Sequence, residues 1–367
     1  MAAAIIKGAH NPEEITLKTG LRSGCLVECI QPALRLLEAY GIKSTPPKGG
    51  WQWYGHTPTL KDIPEKVKTK YRNHGFCFDE DLQLLQNDQP ATIQQCETTI
   101  QQCADALRQA EATRKAIAPL TTVHPSLTQS DAYQVQMVNV RARLAAGAHV
   151  VGKKVGLTSK AMQQFLGVSE PDFGHLFDDM LFDQEQVLPR TRFLQPKVEA
   201  ELAFIMGETL TGPGVTSADV LRTIAAVVPA FEIIASRIAD WKIKIEDTIA
   251  DNGSSAALVL GSRLMPADAV DLKYVGMVLE KNGQILDTAA GAAVLGHPAL
   301  AVAWLANKLG SMGISLGKGE IVLAGSLTKA FEVAPGDVFT ATFGGLGSVK
   351  AVFSIRLIFG QRFGVRS

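Results

Sequence analysis

Apolar spacing changes character partway along this chain, and the order of that change limits the folds open to it. Ile93, Cys96, Ile100, Cys103 and Leu107 recur three and four residues apart, which predicts one buried helix face closed by Pro119. "LTQSDAYQVQMVNVRARLAAG" repeats the spacing with Tyr133, Met137, Val140 and Leu144, a Thr128 or Ser130 cap and a terminal Gly147. From about residue 150 the pattern shortens to strand-length apolar runs separated by turns. "VTSADVLRTIAAV" reads as a capped helix leading into the strand-like "VVPAFEIIAS", and "HPALAVAWLANKLGSMG" as a helix with Pro298 in its first turn and a break at Gly310. The end is β-rich: "EIVLAG", an "APGD" turn, then "VFTATF" and "VKAVFSI" on either side of "GGLG". Helices first and strands later predict an α+β fold with a mixed or antiparallel core, not a regular βαβ array.

Composition narrows what such a fold can do. The 367 residues are 46% hydrophobic, enough for a large core. Thirty-six basic residues balance thirty-six acidic ones, so no electrostatic case for nucleic acid or an anionic membrane arises. The apolar runs fall short of the roughly 18 to 20 residues of a membrane span, and "MAAAIIKGAHNPEE" is too short and too acidic for a targeting peptide. A soluble, cytoplasmic protein is the expectation. All five cysteines lie in the first 103 residues without CxxC spacing, which points to reduced structural thiols instead of disulfides or zinc. Before residue 90 the chain mixes Pro, Gly and aromatics with little periodicity, as in "STPPKGGWQWYGHTPTLKDIPEK", and no chemistry can be assigned to it. Residues 1–92 are therefore set apart as an extension of unassigned structure, disordered in part on one reading, from a catalytic domain over 93–367.

Two carboxylates stand out in "PKVEAELAFIM". On a strand Val198, Ala200 and Leu202 share one face while Glu199 and Glu201 share the other, ~6.6 Å apart along the chain. An outward polar edge would explain them at little cost; a buried site would need a cation to offset them. Glu232 in "VVPAFEIIASR" is a third carboxylate in an apolar run. Three oxygen donors without His or Cys suit Mg²⁺ or Mn²⁺ better than zinc and leave coordination positions for a chelating 2-oxo acid. In "VVGKKVGLTSK", Lys153 and Lys154 alternate faces, so one can enter a pocket while the other is solvated. "ADNGSS" reads as a turn whose amides and hydroxyls could hold a carboxylate.

These residues sit within longer stretches. "VGKKVGLTSKAMQQFLGVSEPDFGHLFDDM", "QPKVEAELAF", "PAFEIIASRIADWKIKIEDTIADNGSSA", "AAVLGHPALAVAWLAN" and "APGDVFTATFGGLGSV" together resemble the 2-keto-4-pentenoate hydratase family of the fumarylacetoacetate hydrolase superfamily, in order from about residue 95 to 355. The resemblance implies N-terminal helices packed on a mixed β-sandwich roll, and Mg²⁺ or Mn²⁺ held by Glu199, Glu201 and Glu232. It also implies Lys154 as base or carboxylate partner, Asp172 of "PDFG" as a proton-transfer residue, and Ser254 as a contact to the substrate carboxylate. The implied reaction is hydration of 2-hydroxypenta-2,4-dienoate to 4-hydroxy-2-oxopentanoate in the meta-cleavage degradation of aromatic compounds. A symmetric homo-oligomer is implied as well, with a downstream aldolase or a sister decarboxylase as candidate partners. The glutamates would raise the pKa of Lys154 and a metal would lower it, and the sequence leaves the net direction open.

Other readings share these residues. The sister 2-oxo-3-hexenedioate (4-oxalocrotonate) decarboxylase uses the same metal and lysine, and Asp172 is the group that hydration needs and decarboxylation does not. Acylpyruvate-type C–C hydrolysis would need a His–Glu pair to activate water, for which His175 is the candidate; His297 is placed as the cap of the helix that follows. A non-catalytic partner subunit, with residues 1–90 as an interaction module, is a different class altogether.

Overall fold

The computed structural model describes residues 97–355, apart from 160–162, 164–167 and 169. The extension 1–92 and the first helix-face residues Ile93 and Cys96 lie outside the described residues. The helix α1, over 97–113, buries Ile100, Cys103 and Leu107 as the spacing predicts. It stops at Arg114, where the backbone turns left-handed (φ 56), before Pro119 is reached. A short α2 (Leu120–Val123) leads to α3 (Gln129–Ala145). Thr128 caps α3, its hydroxyl accepting from Asp131 N while the Asp131 carboxylate accepts from Thr128 N. Leu144, expected on the buried face of α3, is 46% exposed. The inward row is Ala132, Gln136 and Val140, and it contains a polar residue that hydrophobic spacing could not flag.

Thirteen strands follow among the described residues: β1 (Val150–Gly156), β2 (Asp172–Phe177), β3 (Leu181–Asp183), β4 (Val187–Leu188), β5 (Lys197–Met206), β6 (Ile224–Ile234), β7 (Ser255–Leu260), β8 (Gly276–Lys281), β9 (Gln284–Ala290), β10 (Ile321–Leu323), β11 (Phe331–Glu332), β12 (Val338–Phe343) and β13 (Gly347–Phe353). The helices α4 (Ser217–Thr223), α5 (Ile245–Ala250) and α6 (Pro298–Ser311) connect them. The helical reading of "VTSADVLRTIAAV" ran too far: α4 stops at Thr223, and Ile224–Val227 enter β6, where pairing with β5 outweighs local preference. His297 caps α6 as expected, its Nδ1 accepting from Ala299 N at 3.1 Å.

The strands form two mixed sheets, as the α+β reading required. One runs β2-β1-β10-β5-β6-β7-β3 with β11 also on β5; the other runs β4-β13-β12-β8-β9. β1 pairs parallel with β10, β3 with β7 and β13 with β4, while the remaining pairs are antiparallel. The first sheet rolls on itself. Leu176 of β2, Leu323 of β10, Ala203 of β5, Val228 and Ala230 of β6 and Leu258 of β7 pack in one buried cluster, which a flat sheet would hold far apart. Its outer face packs on the second sheet, with Phe231 against Phe339 at a centroid distance of 6.5 Å. Period-two alternation therefore sends one set of side chains into the roll and the other into the sandwich core. Among the described residues no helix is long and apolar enough to cross a membrane.

Candidate metal centre and active site

The interior face of the roll that carries Ala203, Ala230 and Leu323 carries Glu201, Glu199 and Glu232 further along β5 and β6, and Lys154 on β1 in register with Leu323. β5 and β6 pair with Glu199 opposite Glu232 and Glu201 opposite Ala230, so Glu232 is the cross-strand neighbour of Glu199 and the diagonal neighbour of Glu201. One carboxylate oxygen from each of the three lies within 4.8 Å of the others. Ligands about 2.1 to 2.5 Å from a shared ion stand at most about 4.2 to 5 Å apart, so the trio is already spaced for one cation. Glu201 and Glu232 are buried and Glu199 half-buried.

Burial raises the pKa of all three carboxyls. Glu199 is raised to about 7, with Lys154 pulling it down and Glu232 pushing it up. Glu201 rises well above the ordinary range through burial and its two neighbours, although Gly325 N donates to its Oε2 at 2.8 Å. Glu232 is raised by burial against the pull of Lys154, its ion-pair partner. Hard oxygen donors crowded in a buried place, three carboxylates against one lysine, fit a divalent cation.

Lys154 reaches the trio from across the roll. β10 and β5 separate β1 from β6, which in a flat sheet would put about 14 Å between them. Yet Lys154 Nζ lies 3.2 Å from Glu232 Oε2. Burial alone would lower its pKa, but Glu232, Asp172, Glu199 and Glu201 outweigh burial and the net shift is upward. In the protein by itself the direction left open by the sequence is thus upward, towards the charged amine. Asp172, one strand over on β2, is buried, with Oδ2 accepting from Thr248 Oγ1 at 3.2 Å and Oδ1 unpartnered. Burial raises its pKa against the pull of Lys154. A Cβ on Gly156 would stand 2.0 Å from Asp172 Oδ1 and 3.4 Å from Lys154 Nζ, so only glycine leaves room for the two to converge. Ser254 lies in the turn Asn252–Ser254 with its buried hydroxyl unpartnered.

Two placements differ from expectation. Lys153 is not solvated: it is 3% exposed and donates to both carboxylate oxygens of Glu320 at 2.8 and 2.7 Å. The outer face of β1 is covered too, so the lysine there needs its own counter-ion. His175, in register with Lys153, faces away from Asp172 on β2. Its Nδ1 lies 3.1 Å from Gln136 Oε1, and burial, with a smaller push from Lys153, lowers its pKa to about 4. A neutral ring on that face has no access to the carboxylates. Sequence reasoning missed Ser326, whose buried hydroxyl is also unpartnered. Leu327 N and Gly325 N bond to Ala200 O and Glu201 Oε2, which holds Ser326 beside the trio; a lone serine in a loop carries no periodic signal.

Comparison with known proteins adds an independent line. The family model for the fumarylacetoacetate (FAA) hydrolase C-terminal region matches residues 148–354. A 2-keto-4-pentenoate hydratase of Paraburkholderia xenovorans (strain LB400) is 47% identical over 253 residues, covering 69% of this chain and 94% of that protein. A 2-hydroxyhexa-2,4-dienoate hydratase of Comamonas testosteroni is 44% identical over 260 residues, covering 70% and 97%. Among solved structures, the 4-oxalocrotonate decarboxylase from Pseudomonas putida G7, complexed with magnesium and adipate, superposes with a TM-score of 0.67 at 39% identity, covering 70% of this chain and 97% of its own.

Proposed function

The chain belongs to the fumarylacetoacetate (FAA) hydrolase family, and from that membership we propose that it is a divalent-cation-dependent hydratase acting on 2-hydroxypenta-2,4-dienoate in the breakdown of ring-cleaved aromatic compounds. The observation that carries this reading is the meeting of three carboxylates, Lys154 and Asp172 inside one roll, in a chain 44% to 47% identical to relatives named as hydratases. Glu199, Glu201 and Glu232 would hold the cation, and their all-oxygen character favours Mg²⁺ or Mn²⁺. When bound, it supplies Lewis-acid stabilisation of the negative charge that develops on the substrate's C2 oxygen.

The rest falls to the chain. Ser254 and Ser326 have free hydroxyls for the C1 carboxylate, and charged Lys154 offers N–H donors to the same end of the substrate. Asp172, which burial biases towards its protonated form, delivers a proton to C5 and takes back the one the C2 hydroxyl gives up, so that it ends as it began and the product is a conjugated 2-ketone. Water then divides, its hydroxyl joining C4 and its proton C3, which yields 4-hydroxy-2-oxopentanoate. Thr248, bonded to Oδ2, leaves Oδ1 of Asp172 as the free face for these transfers. A cytoplasmic homo-oligomer, passing product to an aldolase, belongs to the same proposal.

Decarboxylation of 2-oxo-3-hexenedioate is the second reading, favoured by the 39% identity to a solved decarboxylase. The two separate when the protein and Mg²⁺ are incubated with each acid in turn. Loss of the dienoate's ultraviolet absorbance without CO₂ supports hydration; CO₂ from the hexenedioate with the dienoate untouched overturns it.

A further inference from the structure

Asn252 takes no part in the chemistry above, yet its bonding is specific. Among the described residues β2 has a strand neighbour, β1, on one side only. The Asn252 amide meets its backbone at His175: Oδ1 accepts from His175 N at 2.8 Å, and Nδ2 donates to His175 O at 2.9 Å. A side chain thus supplies the paired donor and acceptor that an adjacent strand would offer, because an amide carries the two side by side on one planar group. The same residue opens a turn in which Asn252, Gly253 and Ser254 are all left-handed, with φ of 58, 60 and 57. Asparagine tolerates that region better than serine does, so the conformation needs support from outside the turn.

The turn touches the site at two points. A Cβ on Gly253 would stand 2.8 Å from Lys154 Cε, so the turn lies directly on the lysine stem. Ser254 is held through its backbone, N to Asp251 O at 2.9 Å and O from Ala235 N at 2.8 Å, while its hydroxyl stays free. We propose that Asn252 is a positioning residue: its amide bracket to His175 holds the left-handed turn, and the turn fixes the Ser254 hydroxyl and the Lys154 stem without Asn252 touching substrate. The kinetic part of this inference rests on the hydratase reading.

The test compares Asn252→Ala, Asn252→Asp and Asn252→Gly in the full chain. Asp keeps the size but sets an oxygen against the His175 carbonyl, and Gly removes the bracket while keeping the left-handed region accessible. All three should bind Mn²⁺ as the wild type does, because the three glutamates lie on β5 and β6. Ala and Asp should raise KM for the dienoate and weaken oxalate, a probe for the C1 carboxylate and C2 oxygen, by about tenfold, the scale of one lost hydrogen bond to a charged group; Gly should fall between them and wild type. Amide exchange at His175 should quicken in all three. Adding Asn252→Ala to Ser254→Ala should raise KM by less than the product of the two single effects, because the Ser254 contact is common to both while the Lys154 stem is lost only with Asn252. Additive effects in that pair, unchanged oxalate affinity in Asn252→Asp, or unchanged exchange at His175 would overturn the proposal. A wild type inactive on the dienoate overturns the hydratase reading instead, since oxalate affinity and His175 exchange report on the bracket whatever the reaction.

Discussion

At the scale of single residues, the proposed reaction divides the site into groups that hold charge and groups that move protons, and substitution should separate them. Glu232→Gln removes one of three anionic donors and should weaken Mn²⁺ binding and turnover together. Lys154→Ala should spare Mn²⁺ binding and lower kcat by ~10² to 10⁴; near-normal turnover would show that the lysine has been given the wrong role. His175 supplies the contrast. Its folded pKa of about 4 lies below the ordinary 6.5, so the unfolded chain takes up the extra proton between those values and stability falls as pH drops through that window. The loss should reach roughly 3 kcal/mol by pH 4. His175→Gln should flatten the fall in urea midpoint between pH 6.5 and 4 and leave turnover intact; a collapse in turnover would revive the hydrolytic reading. The carboxylates were legible beforehand because alternation is a local rule and a lone acid in an apolar strand is conspicuous. Lys153 was misread because residue type favours exposure, whereas burial is decided by what packs over the strand.

At the scale of elements, Gln136 joins three of them that sequence shows only separately. From α3, its Nε2 donates to Phe173 O on β2 at 3.0 Å and to Ile249 O on α5 at 2.7 Å, and its Oε1 faces His175. Gln136→Met keeps the volume but strands buried partners, so it should cost about 3 kcal/mol in urea unfolding; a change below about 0.5 kcal/mol, the scale of a surface substitution, would mean the network contributes nothing. Helix ends were readable from Thr128 and His297, whose caps act within three residues. Strand partners were not. β1 lies against β10, with Gly152 opposite Ile321, and nothing local to either segment names the other. The roll, which brings Lys154 to Glu232, was expected only through family resemblance, since periodicity alone led no further than a mixed or antiparallel core.

At the scale of the whole molecule, the described residues contain all that the proposed reaction asks of the protein. One buried cluster runs from Ile100 on α1 to Phe353 on β13; the metal trio, Lys154 and Asp172 stand on strands it supports, and Ser254 and Ser326 on a turn and a loop beside them. The aligned hydratase from Paraburkholderia xenovorans corresponds to 69% of this chain but 94% of its own length, so a protein without a counterpart to much of this chain's remainder bears a hydratase name. Residues 1–92 are therefore expected to be dispensable for the chemistry proposed. A chain beginning at residue 93 should keep Mn²⁺ affinity, and kcat/KM for the dienoate should stay within about twofold, a difference of about 0.4 kcal/mol. Thermal unfolding of both chains, followed beside the kinetics, separates two ways this can fail. Equal Tm with a tenfold fall in kcat/KM would give the extension a direct part in turnover, whereas a lower Tm with kcat/KM intact at 25 °C would make it a brace for the fold and leave the site's chemistry as described.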